Sequence, residues 1–305
     1  MKYILCRPRG GLNDTLCEIG RCHKYAVKTG RKLIVDTSKS GLHDGFWKYF
    51  LPASDAFHSE RHPDFDALST YPKSVEGRVT SYVARYDPGI QNYVNETFAL
   101  LRIDENVDYE EDLLVHEQCW YGEFMSLETV ANIKFRPGVA KAILERLSSM
   151  NWYDAIHIRN TDYKTDYKEY FKEIYNSVCG RTLLVCSDDY QAIEFAKAFF
   201  DQTRVVRLSK FADNEGKPLH GEKTINQFET NMDMFTDLIG LVLAENLYIL
   251  PVENNTRFSG FSSLAVSIKQ RPDIVRGLLG WNQRLDERFD FLAVLADLRK
   301  ASALG

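Results

Sequence analysis

No stretch of the chain is apolar for long enough to cross a bilayer, and the opening apolar run, Met1 to Cys6, is too short for a signal-peptide core. The six cysteines (Cys6, Cys17, Cys22, Cys119, Cys179, Cys186) form no CxxC pair and are too sparse for a disulfide framework. Several fall in apolar runs, where cysteine serves as a small core residue. Reduced thiols in a cytoplasmic protein are the expectation. Basic residues do not gather: the net charge is −5, with lysines and arginines interspersed among acids. That argues against a nucleic-acid partner and leaves at most a peripheral membrane association. The seven histidines are dispersed without an HExxH pattern, and His58 and His62, four apart beside Pro63, read as surface residues. No metal centre is expected. A GxSxG elbow, a Walker loop, low-complexity tracts and internal repeats are all missing.

What the 305 residues do contain is a globular composition, 44% hydrophobic and 27% charged, in a length that suits two domains better than one core. The start reads strand, turn, helix, strand. Tyr3 to Cys6 is a short apolar run, and Arg7 to Asn13 a glycine-bearing turn. Asp14 or Thr15 can cap a helix with Leu16, Ile19 and Ala26 at helical spacing, and Gly30 suits its stop. Lys32 to Val35 is a second buried strand, ending at Asp36. Such a βαβ unit implies a parallel sheet.

From 38 to about 114 aromatics are plentiful but the periodicity is broken, so only irregular α/β structure is expected there, closing with a strand at 113–115 and a polar-aromatic loop at 118–124. An amphipathic helix at 139–147 precedes a domain boundary at 148–152. Beyond it the alternation resumes, with strands at 155–158, 183–186, 205–208 and 247–250. Helices are expected at 168–178, 190–200 and 232–244 and from 263, with a polar loop over 212–227. Repeated βα units make a doubly wound sheet, which binds ligands beyond the carboxyl ends of its strands.

Three polar clusters occupy those strand ends. In His157-Ile158-Arg159-Asn160-Thr161-Asp162, His157 and Arg159 point to one side of an extended chain. An arginine there can pair bidentately with a diphosphate, or it can form an ion pair with Asp162 or a neighbouring carboxylate. In Ser187-Asp188-Asp189, Ser187 or Asp188 can cap the next helix, or the cluster can rim a nucleotide pocket. In Arg257 to Ser263, hydroxyls and a glycine precede a helix. They can serve as caps or, with free N–H groups, as a phosphate site. The Gly10-Gly11-Leu12-Asn13-Asp14 turn follows a strand and opens a helix, but it lacks the three glycines of GxGxxG and argues against NAD.

Taken in order, these segments resemble the fucosyltransferase superfamily of the GT-B fold, which contains α1,2-, α1,6- and protein O-fucosyltransferases. RPRGGLND with its helix and the TGRKLIVD strand looks like the GG-L-N opening of α1,2-type enzymes. HIRNTD is similar to the superfamily's HxRxxD segment, close to its α1,6-type form, and VCSDD to its (T/S)DD segment. The stretch FTDLIGLVLAENLYILPVENNTRFSGFSSLAVSIKQ resembles its last motif. The resemblance covers the first 36 residues and most of the second half. By it, Arg159 should hold the donor diphosphate, His157 and Asp237 should contact guanine, and Ser262 or Ser263 should meet a phosphate. The Gly10-Gly11 turn should face the reacting sugar. Asn160 stands where a second arginine is common, and Asn254-Asn255-Thr256 extends the serine turn.

The resulting expectation is an α/β, GT-B-like chain of two Rossmann-like domains facing across a cleft. Residues 1–150 would form the acceptor side and 151–283 the donor domain, with a helix in 284–305 at the junction. Donor contacts would come from Gly10, Gly11, Asn13, His157, Arg159, Ser187, Asp188, Asp237, Ser259, Ser262 and Ser263. The reaction would be metal-independent, inverting transfer of fucose or a related sugar from a GDP-sugar co-substrate, without other cofactor, to a glycan or glycolipid hydroxyl. Arg159 would stabilise the leaving diphosphate, and Asp162, Asp166 or Asp14 would act as base. The alternatives are another nucleotide-dependent transferase on a similar sheet, or a non-catalytic sugar-nucleotide or glycan-binding module.

Overall fold

The computed structural model describes residues 1–58, 63–119, 125–150, 152–210, 224–252 and 257–280. The chain divides into two units, Met1–Lys134 and the residues from Phe135 on.

The first unit contains β1 (Tyr3–Cys6), α1 (Leu12–Thr29), β2 (Lys32–Val35), β3 (Phe50–Pro52), β4 (Thr70–Tyr71), β5 (Arg85–Asp87), β6 (Asn92–Val94), β7 (Leu113–His116) and α2 (Ser126–Ala131). Its principal sheet runs β2-β1-β7-β4, all parallel. The apolar runs of β1 and β7 are nearly continuous because both faces of a parallel sheet are covered. The expected βαβ opening is present, but α1 begins earlier than the sequence implied. Gly11 is its N-cap, and Asp14, in the first turn, accepts a hydrogen bond from the Gly11 N–H at 3.2 Å. Gly30 ends the helix in the left-handed region, φ 67°, as expected. A methyl group on Gly20 would lie 2.3 Å from the Met125 carbonyl oxygen, so glycine lets α2 lie against α1.

The segment from 36 to 112 is held by side-chain locks more than by periodic faces. The Asn95 carboxamide oxygen accepts from the N–H groups of Thr97 and Ala99, and Arg31 donates to the carbonyls of Tyr109 and Glu111. Val75, Val79 and Leu101 are buried against Leu5, Leu113 and Val115. Short 3₁₀ turns and the antiparallel β5–β6 hairpin complete it.

β8 (Ile133–Phe135) pairs with β3 and leads into the second unit. There follow α3 (Pro137–Leu147), β9 (Asp154–Ile158), α4 (Tyr167–Val178), β10 (Thr182–Ser187), α5 (Tyr190–Phe199), β11 (Arg204–Val206), α6 (Gln227–Leu243), β12 (Leu247–Ile249), α7 (Gly260–Lys269) and α8 (Pro272–Leu279). The division falls ahead of α3 and not at 148–152, because α3 packs on α6. The Phe135 and Phe235 rings are 5.4 Å apart, and Arg146 donates to Asp233 at 2.8 Å.

The second sheet runs β11-β10-β9-β12, again all parallel. Phe171 and Phe200, with Phe195 and Phe199, fill the layer between it and α4 and α5. Gly240 brings α6 onto β10: a methyl group there would lie 2.6 Å from Leu184. No helix among the described residues is long and apolar enough to cross a membrane. All six cysteines are free thiols. The helix expected within 284–300 and the Asn254-Asn255-Thr256 extension lie outside the described residues, as do most of the 118–124 and 212–227 loops.

Candidate functional site

In the second unit the carboxyl ends of β9 and β10 carry the first two clusters side by side. Arg159 donates to Asp162 Oδ1 at 2.7 Å and to Asp188 Oδ2 at 2.8 Å, so the ion-pair alternative weighed from the sequence is realised. The two acceptors differ. Asp188 is buried, and it also accepts from the Asn160 N–H at 2.8 Å and from the Thr161 hydroxyl. The Asp162 side chain is 36% exposed. One arm of the guanidinium thus meets a buried carboxylate and the other a more exposed one, which also accepts from the Tyr163 N–H at 3.1 Å.

Asn160 is itself locked, donating through Nδ2 to Asp189 at 2.6 Å. Lys164 Nζ donates to the Asn160 carbonyl at 2.8 Å. Of the SDD triplet, the helix cap is Asp189 and not Ser187 or Asp188: it accepts from the Gln191 N–H at 2.9 Å, while the other two side chains are engaged with the β9 end. Ser187 donates to the Ile158 carbonyl at 2.9 Å and so ties β10 to β9. Asp166, a base candidate from the sequence, caps α4 by accepting from the Glu169 N–H.

His157 on β9 is buried, with Phe261 5.0 Å away ring to ring. Its Nδ1 lies 2.7 Å from the Ser262 hydroxyl, which is 3.0 Å from that of Ser259. Burial, with the charge of Arg159, pushes the imidazole down to about 3, so His157 is neutral at working pH. Ser259 is the N-cap of α7 and accepts from the Ser262 N–H at 3.1 Å. Ser263 is half-buried in the first turn of α7. The serine turn and His157 therefore form one hydrogen-bonded chain.

Asp237, on the part of α6 that lies against the end of β10, is 8% exposed. The Cys186 thiol is 3.9 Å from its main-chain carbonyl oxygen. Burial, then the nearby charge of Asp233, pushes its carboxyl up to about 7 against the opposing pull of Cys186, Ser209 and Arg207. Among the described residues its Oδ1 has no hydrogen-bond partner. A buried carboxyl left in this condition costs free energy that an incoming pair of donors would recover.

In the first unit, the turn after β1 requires glycine at position 10. Its φ is 82°, and a methyl group there would lie 2.5 Å from Asp14 Oδ2 and 2.8 Å from Cys119 Sγ. Asp14 is engaged with Gly11. Asn13 is 7% exposed, and its Oδ1 has no partner among the described residues.

The same sheet edge holds residues that the sequence reading passed over. Arg9 pairs with Glu117 through Nε at 2.8 Å, Glu117 accepts from the Tyr82 hydroxyl, and Arg7 donates to Asp36 at 3.1 Å. Arg7 and Arg9 have the same two-residue spacing that marked His157 and Arg159, which was the available signal.

No family model matches the sequence, and a search of curated proteins gave no match. Solved structures do match. The fucosyltransferase NodZ from Bradyrhizobium superposes with a TM-score of 0.55 at 16% identity, over 87% of this chain and 92% of that one. A NodZ alpha-1,6-fucosyltransferase co-crystallized with GDP gives 0.54 at 17%, and one soaked with GDP-fucose gives 0.53 at 17%, each over 87% of this chain and 91% of the other. The chain therefore has the GT-B-like α/β fold of these fucosyltransferases.

Proposed function

We propose that the chain is a glycosyltransferase that moves fucose or a related sugar from a GDP-linked donor to a glycan or glycolipid hydroxyl. The shared fold and the GDP and GDP-fucose used with the matching structures support this reading, and Asp237 carries it within the chain. Guanine offers two adjacent donors, N1–H and N2–H, on one edge. A buried carboxylate with a spare oxygen accepts both, whereas adenine, uracil and cytosine lack that pair. Neutral His157 can add one hydrogen bond without a charge. The diphosphate would replace Asp162 on Arg159, while Asp188 holds the other arm of the guanidinium in register. The α7 N-terminus supplies further N–H groups.

In the transfer step the acceptor oxygen attacks the anomeric carbon and the bond from that carbon to the diphosphate oxygen breaks. The acceptor proton passes to a carboxylate, and GDP leaves with inversion. Of the three base candidates, Asp166 and Asp14 are occupied in holding helix starts. Asp162 also accepts from the Thr161 hydroxyl and the Tyr163 N–H, and we take it as the base because it alone of the three pairs with Arg159, where the donor would bind. Charge on the leaving group would be met by Arg159 and backbone N–H groups, so activity should survive EDTA. The free thiols fit a cytoplasmic setting.

The test is a thermal-shift panel of GDP-, UDP-, CMP- and ADP-sugars, because a ligand specific to the folded state raises the melting temperature by mass action. Stabilisation by GDP-sugars alone is expected, and equal or absent stabilisation across the panel would overturn the reading. Because two carboxylates already pair with Arg159, a binding module without turnover is the second reading. Release of GDP from GDP-fucose by purified protein rules it out.

A further inference from the structure

The β5–β6 hairpin differs from the rest of the first unit in what it leaves uncovered. Tyr86 is 50% exposed, and Val83, Ile90 and Phe98 around it are exposed as well. Tyr86 stands opposite Tyr93 across the ladder, ring centroids 5.5 Å apart and planes at 63°. Tyr93 is half-buried, and the Arg9 guanidinium lies 5.0 Å from its ring centroid. Arg9 holds Glu117, and Glu117 accepts from Tyr82. A continuous line of contacts thus runs from an exposed aromatic ring to the carboxyl edge of the first sheet. Asn13, in the first turn of the helix leaving that edge, keeps a buried side-chain oxygen without a partner among the described residues.

We propose that this strip is a saccharide subsite, with a pyranose stacked on Tyr86 and its hydroxyls met by the partly exposed Arg9 guanidinium, which the buried Glu117 holds in place. As the place of the acceptor, it rests on the glycosyltransferase reading above. The chemistry matches on both sides. A pyranose has an apolar C–H face and a rim of hydroxyls that each donate and accept. A tyrosine ring buries such a face at little conformational cost, and a guanidinium offers several N–H donors to the hydroxyl oxygens at its rim. A bilayer fits less well, because Asp87 and Glu96 flank the same hairpin in a chain of net charge −5.

The test is saturation-transfer NMR on the full chain with methyl glycosides of glucose, galactose, mannose, fucose and N-acetylglucosamine. Wild type is compared with Tyr86→Ala and Tyr86→Phe. At least one glycoside should bind wild type and Tyr86→Phe alike, and Tyr86→Ala should weaken it by roughly threefold to tenfold, the scale of one ring contact. Melting temperatures of the three proteins should agree, since the ring is exposed. No glycoside binding to wild type, or equal binding to Tyr86→Ala, overturns the proposal. So does a patch that instead takes up phosphatidylglycerol vesicles or a second copy in sedimentation velocity. GDP stabilisation, measured in parallel, tests the transfer reading alone: saccharide binding that depends on Tyr86 upholds the subsite whether or not GDP binds.

Discussion

At the edge of the first sheet Arg7 faces Asp36 and Arg9 faces Glu117, so the charges there are settled within the protein. At the edge of the second sheet a histidine is pushed down to about 3 and a carboxyl up to about 7, and among the described residues one of its oxygens lacks a partner. The same parallel-sheet plan thus leaves a neutral amide oxygen, that of Asn13, over at one edge and a titrating carboxylate oxygen at the other. Perturbed titrating groups concentrate where a ligand completes the arrangement, and they cost stability until it does. On the proposed reading the second edge takes the charged co-substrate and the first a neutral, hydroxyl-rich one.

The largest effect expected from breaking this contrast is at Arg159. Charge builds on the diphosphate as the sugar–oxygen bond breaks, so a positioned fork is worth more in the transition state than in the ground state. Arg159→Lys keeps the charge and loses the fork. Turnover should fall by about 2.7–4 kcal/mol, the range seen on losing one positioned oxyanion donor. GDP affinity should fall much less. Near-normal turnover would reduce Arg159 to the ion pairs it makes with Asp162 and Asp188.

Asp237 comes next, and here the sign can be worked out. Between its ordinary value of 3.8 and about 7, the folded protein holds a proton that the unfolded chain has released, so this group removes stability as pH rises through that window. Asp237→Asn should therefore melt higher than wild type at pH 8 and equally at pH 4, the gain being on the order of a few kcal/mol. It should also lose GDP by roughly 1.5–3 kcal/mol, the scale of a hydrogen bond to a charged group. Wild-type affinity for GDP should decline as pH falls below 7, because guanine selects the ionised carboxylate. An affinity indifferent to pH from 5 to 8 would remove Asp237 from the base pocket.

At the first edge the corresponding change acts on the fold alone. Gly10→Ala forces a side chain into a positive-φ position against Asp14 and Cys119. It should cost about 1–3 kcal/mol in denaturant unfolding and leave GDP affinity within twofold. A large loss of GDP binding would instead extend the nucleotide site into the first unit.

How much of this was legible beforehand follows the same division. The strands of the second sheet are apolar runs bounded by polar turns, and β9, β10 and β12 fall within a residue of where the pattern put them. Strand-end positions and the family resemblance converge on Arg159 and His157, whereas Asp237, on a helix, is pointed to by the resemblance alone. Residues 38 to 112 stayed unreadable for a physical reason. β4 is two residues long, β5 and β6 three each, and their backbone is held by Asn95, Arg31 and a tyrosine contact between Tyr71 and Tyr109, none of which has a period. The pairing of Arg9 with Glu117 spans 108 residues and leaves no local trace. The boundary was placed late because α3 is amphipathic wherever it packs, and only the distant Phe235 and Asp233 show on which side it belongs.

The smallest effect is the most discriminating for the serine turn. Ser259 caps α7 through the Ser262 N–H, and Ser259→Ala should cost about 1 kcal/mol of stability, the usual value of a lost N-cap. That result alone does not separate a cap from a phosphate neighbour. Ser259→Asp does, because aspartate caps as well as serine and complements the helix dipole, so the fold should keep its stability. Its charge, however, would stand at the helix start where the diphosphate is placed. GDP affinity should then fall by roughly tenfold at low salt and less at high salt, as expected for a partly screened repulsion, while guanosine, which has no phosphate, should bind as to wild type. Equal binding of GDP to Ser259→Asp and wild type at low salt would move the diphosphate away from α7. The turn would then be left as a cap and a prop for His157.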